Sequence, residues 1–166
     1  MDYRVSKRFV YLSAIAFFLA VTPVVAQTPA LTPAFAAAER ALLEAEREQI
    51  VLERGVEAWE SGDYATAVKL WRPLAIKGDA DAQFNLAQAY RFGRSVPVDM
   101  KAAEDWYRRA ASQGHLQAED NLGLIMFQNG DRQNAMPMIR RSANRGDPRA
   151  QYVLATAMFN GDFAEK

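Results

Sequence analysis

Small and apolar side chains return in a fixed phase along the second half of the chain. Gly78, Gly114 and Gly146 begin matching stretches; Ala82, Ala118 and Ala150 follow, then Leu86, Leu122 and Leu154. One position is always small: Gly55, Ala87, Gly123 and Ala155. Asp63, Asp99 and Asp131 open a second segment in three successive copies. Leu70, Trp106 and Met138 recur within it, as do Ala75, Ala111 and Ala143. Such self-similarity, at a period of roughly 34 residues, is that of a repeat in which one helix pair is the unit. The units read as 46–77, 78–113 and 114–145, with a partial unit at 146–166.

Helical spacing explains each copy. In the second unit Ala82, Leu86, Ala89 and Tyr90 share one face of a first helix, and Ala102, Ala103, Trp106, Ala110 and Ala111 form the facing stripe of a second. Asp99 is placed to cap the second helix, and Gly62-Asp63 and Gly130-Asp131 make a turn followed by the same cap. Asp147-Pro148 is a cap followed by proline at the first helical position. Gly78, Gly114 and Gly146 suit the left-handed residue that ends a helix. Pro73 and Pro137 fall inside second helices and should kink them. One such pair cannot bury its apolar face alone, so the units must stack. The expected fold is all-α: an α-solenoid of stacked antiparallel helix pairs at 46–166, preceded by a long N-terminal helix.

That helix is expected over 34–54, a stretch without glycine or proline, running into the first repeat. Phe35, Leu42, Gln49 and Val56 fall seven apart, as do Ala38, Ala45, Leu52 and Trp59. A helix lying on its own array is the expected use of this stripe; self-association through 34–54 is the alternative, weakened by the alanines and Gln49. Residues 27–33, with two prolines and two threonines, read as a linker.

Residues 1–26 have the three parts of a secretory signal. Arg4, Lys7 and Arg8 precede an uncharged run from Phe9, and Pro23 then breaks the helix before Val24-Val25-Ala26. Cleavage is expected after Ala26, giving a periplasmic or secreted protein with no stable membrane insertion. The alternative is an uncleaved signal acting as an inner-membrane anchor.

Charge and composition narrow the chemistry. Lys+Arg and Asp+Glu are each 20, so nothing suggests nucleic acid as a partner. The chain has no cysteine, which excludes disulfides, thiolate metal sites and cysteine nucleophiles. His115 is the single histidine; just after Gly114, it aligns with Asp79 and Asp147 and reads as a cap. No serine-hydrolase motif or phosphate-cradling glycine loop occurs. Glu119-Asp120 and Glu57/Glu60 resemble acid pairs only as helix surfaces often do. No catalytic residue, cofactor or metal is expected, and the protein is not expected to be an enzyme.

These repeated residues resemble the Sel-one-like repeat, a relative of the tetratricopeptide repeat. The second unit carries most of the likeness: Ala82, Leu86, Tyr90, Gly93, Val96, Asp99, Lys101, Ala102, Trp106, Ala110, Ala111 and Gly114. It departs at Ala87, where the family has glycine, and has one extra residue before Trp106. In the third unit Met126 and Met138 replace the tyrosine and tryptophan. The resemblance implies an α-solenoid that binds other proteins, often as an adaptor, without implying a shared ligand.

By analogy with the tetratricopeptide layout, the first helices line a concave surface. Its candidate protein-binding residues are Phe84, Asn85 and Gln88, then Asp120, Asn121 and Leu124, then Tyr152 and Thr156. The mix is apolar with uncharged amides and has no cluster of lysine or arginine, which suits an apolar-anchored segment better than a peptide carboxylate. Trp71 and Trp106 occupy core phases, whereas Trp59, aligned with Phe127 and Phe159, could line the inner surface. The function expected is an exported scaffold for protein–protein interaction; the alternative is a small cell-wall-directed hydrolase or glycan-binding protein on the same scaffold.

Overall fold

The computed structural model describes residues 32–160; the expected signal, its cleavage point and the start of the linker lie outside them. Seven helices follow in order among the described residues: α1 (Thr32–Glu60), α2 (Tyr64–Lys77), α3 (Ala80–Phe92), α4 (Met100–Ser112), α5 (Leu116–Gln128), α6 (Arg132–Asn144) and α7 (Pro148–Phe159). No strand occurs among them. The described chain divides into two units at Glu46/Arg47. The second is the all-α solenoid, in which each helix from α2 to α7 packs on the next in sequence.

Caps fall where the acidic residues recur. Asp63, Asp79, Asp99, Asp131 and Asp147 each accept a hydrogen bond from a backbone N–H in the first turn of the helix they precede, satisfying donors that a helix start leaves unpaired. His115 caps α5 in the same way, its Nδ1 accepting from Ala118 N–H at 3.2 Å. Gly78 ends α2 at φ 109°, a conformation that a side chain disfavours.

Both prolines sit within continuous helices, α2 and α6. Burial of Trp71, Leu74 and Ala75 around Pro73, and of Met136 and Ile139 around Pro137, offsets the lost backbone bond. The N-terminal helix is longer than 34–54. It takes in Thr32 and Pro33, since proline costs nothing in a first turn, and it continues to Glu60 as the first helix of the first pair. Gly55 lies within this helix because the position must be small: a Cβ there would run into the Trp71 ring at Nε1. Trp71 itself is 2% exposed and donates to Leu52 O at 3.3 Å.

The tryptophan phases need two corrections. On α4 the buried stripe is Ala103, Tyr107 and Ala110, so Tyr107 holds the core position expected of Trp106. Trp106 is half-buried between the two core clusters, with the Arg109 guanidinium 4.5 Å from its ring centroid. Trp59 packs against Tyr64 at 4.8 Å and Trp71 at 5.5 Å between ring centroids, and so belongs to the α1–α2 packing.

Successive pairs are joined by a repeated side-chain bond. Gln83 Nε2 donates to Ala75 O at 3.1 Å, and Gln151 Nε2 donates to Ala143 O at 3.2 Å. Each ties a first helix to the end of the second helix before it. The third unit has Glu119 at this phase. A carboxylate cannot donate, and Glu119 instead pairs with Arg141 and Arg145.

Candidate functional site: a cleft across the first helices

The first helices α3, α5 and α7 share a cleft of about 520 Å³. Arg91 comes from the last turn of α3, Leu124 and Gln128 from α5, and Pro148, Arg149, Tyr152 and Val153 from α7. Helical spacing accounts for the lining: Leu124 and Gln128 lie four apart, and Arg149 and Tyr152 three apart, so each pair shares a face.

Asn121, 5% exposed, organises the polar side of this face. Its Nδ2 donates to Gln117 O at 3.0 Å. Its Oδ1 accepts from Arg91 Nη1 at 2.9 Å and from Arg149 Nη1 at 3.1 Å. One amide thereby links α3, α5 and α7. Arg149 also pairs with Asp147, Nη2 to Oδ2 at 2.7 Å. That hydrogen bond holds the Asp147 carboxyl below its usual value and raises the Arg149 pKa. Burial pushes the Tyr107 hydroxyl up, an effect that neighbouring Arg91 opposes.

Besides Asn121, the other seven candidates are placed as follows. Leu124 and Tyr152 line the cleft; Leu124 is only 7% exposed, so it forms wall, while Tyr152 is 73% exposed. Phe84 is half-buried, stacked on His115 at 4.5 Å between centroids and tilted against Tyr107 at 5.8 Å. Asn85 and Gln88 are half-buried on α3. Asp120 is engaged by Arg145. Thr156 is exposed, its Oγ1 donating to Tyr152 O at 2.8 Å.

The expectation of a face without clustered arginine is overturned. Arg91 falls at the phase of Trp59, Phe127 and Phe159, and Arg149 at that of Asp81 and Gln117; no other copy has arginine at either, so a search for recurring residues passes over both. Their spacing from Gln88 and Tyr152, three residues each, was the available signal. The Glu119-Asp120 pair does not form a free acid couple, because Arg141 and Arg145 engage it. Among the described residues no three His, Asp or Glu side chains gather to hold a metal ion, and no helix is long and apolar enough to cross a membrane.

A family model for the Sel1 repeat matches residues 80–115 and 148–166, which include α3, α4 and α7. The chain carries Sel1 repeats. A solved Sel1-like repeat structure supports the fold independently: a protective antigen present in uropathogenic Escherichia coli strains, 30% identical, superposes with a TM-score of 0.59 over 69% of this chain and 26% of that one. An uncharacterised protein of Neisseria meningitidis is 31% identical over 104 residues, 63% of this chain and 22% of its own length. An F-box protein of Arabidopsis thaliana is 33% identical over 76 residues, 46% of this chain and 21% of its own. The Sel1-repeat chain thus spans about a fifth of the length of these curated relatives.

Proposed function

We propose that this Sel1-repeat chain is an exported scaffold that binds a segment of another protein along the inner surface formed by its first helices. A Sel1-repeat scaffold suits protein–protein interaction, and the observation that carries the reading to this face is the cleft itself. It draws on three successive first helices and combines apolar walls with hydrogen-bonding side chains, as recognition of an extended or helical segment requires. Export rests on the pattern of residues 1–26: a basic start, an uncharged run and a small-residue ending.

A photo-crosslinking residue at Tyr152 should capture a partner in the living cell, whereas one at exposed Arg140 on α6 should not. Capture from Arg140 alone would move the interface to the second helices. Mass spectrometry of the protein from the cell envelope should find a chain beginning at Gln27; an intact Met1 would favour the anchored form. The hydrolase alternative draws no support from Glu119 and Asp120, both taken up by arginines.

A further inference from the structure

The strip along α3, α5 and α7 holds a charge that its surroundings do not neutralise. Arg91 is half-buried and lies against the Phe92 ring, 5.3 Å from its centroid. Its hydrogen bond goes to the neutral Asn121 amide. Among the described residues no carboxylate pairs with it. Arg149 reaches the same Oδ1 from α7, so two guanidiniums converge on one uncharged oxygen. Asp147 answers only Arg149. Arg149 is exposed and answered by Asp147, whereas Arg91, half out of water and without a carboxylate, favours an anion beside it. The Tyr107 hydroxyl is fully buried beside Arg91.

Apart from Gln128, the rest of the cleft is apolar. Leu124, Val153 and the ring of Tyr152 form its walls, and a small free anion would leave them uncovered. We propose that the cleft recognises an acidic side chain, Asp or Glu, within a passing peptide segment. Its carboxylate lies on Arg91, and an adjacent apolar side chain lies against Leu124, Val153 and Tyr152. This names the partner's chemistry and rests on the reading of the first-helix face as a protein-binding surface. The strip continues past the cleft, to Gln88 three residues before Arg91 and to Thr156 four residues after Tyr152. A chain can therefore run through, which favours an internal side chain over a chain terminus.

The test is selection of random peptides displayed on phage as fusions without a free C-terminal carboxylate, against the full chain. Enriched peptides should carry Asp or Glu within about three positions of a leucine, isoleucine or aromatic residue, as pairing of a charged and an apolar anchor requires. Measured by fluorescence anisotropy, an enriched amidated peptide should lose at least about tenfold in affinity to Arg91→Gln, and as much when its acid is replaced by the amide. The two changes together should cost little more than either alone. Arg91→Lys should restore part of the binding, and a melting curve for each variant separates lost binding from lost folding.

If Arg91→Gln and the amide peptide bind unchanged while Tyr152→Ala weakens binding, acid recognition is overturned and the protein-binding face stands. If neither substitution matters, or no peptide is enriched, both readings fall. A peptide without acidic side chains that binds about tenfold tighter as a free acid than as an amide would overturn the internal source in favour of a terminal carboxylate.

Discussion

Helices α5 and α7 hold the same place in successive repeats yet have opposite surroundings. On the side facing the preceding pair they agree: Ala118 and Ala150 are fully buried, as are Ile125 and Ala157. On the other side they part. Met126 is 4% exposed and its counterpart Met158 67%; Leu122 is buried and Leu154 half-buried; Gly123 is buried and Ala155 exposed. The reason is α6, which covers α5, whereas no helix follows α7 among the described residues. Repeat phase sets where a side chain points, and the neighbouring helix sets whether water reaches it.

The largest test of that contrast is a matched pair of truncations. Met126→Ala should cost about 2–5 kcal/mol, while Met158→Ala should stay within about 0.5 kcal/mol, both measured by urea denaturation. Equal losses would mean that α7 is covered after all. Next comes the small position. A Cβ at Gly123 would lie 2.9 Å from Met138 Cβ, so Gly123→Ala should destabilise by about 1–3 kcal/mol. At Ala155 no such neighbour intrudes, and Ala155→Gly should cost about 1 kcal/mol through helix propensity alone.

Backbone amides of α7 should exchange with deuterium faster than those of α5, since few buried side chains hold α7 in place. Comparable protection would contradict the exposure of α7 seen at Met158.

The smallest effect is electrostatic and belongs to the start of α7. Arg149 holds the Asp147 carboxyl below its usual value of 3.8. A depressed folded pKa means that this contribution is complete above the unfolded value and is lost as pH falls through the lower folded one. Asp147→Ala should therefore cost about 1 kcal/mol near neutrality through loss of the cap and should flatten the decline in stability below pH 4. Asp79, whose carboxyl burial raises, has the opposite sign: its contribution declines as pH rises through its folded value.

The helix order and caps were legible because both depend on neighbours in the chain. Asp63, Asp99, Asp131 and Asp147 mark helix starts through bonds spanning three residues, and even His115 was placed by its alignment with Asp147. The candidate strip was legible in part. Leu124 and Tyr152 follow from repeat phase; Arg91 shares the phase of Trp59, Phe127 and Phe159, but its pairing with Arg149, at another phase, does not follow. Their meeting at Asn121 joins residues about 30 positions apart, and no local pattern encodes that distance.

Periodicity, capping residues and glycine placement were enough to specify an all-α array of stacked pairs, since helix formation and turn geometry are local. Packing between helices settled which of two adjacent aromatics is interior, placing Tyr107 in the core and Trp106 at the seam. It also placed Trp59 against Trp71, and brought Arg91 and Arg149 to one amide oxygen. These outcomes depend on volume and charge meeting across space, and a side chain's burial is a property of its neighbours as much as of its own phase.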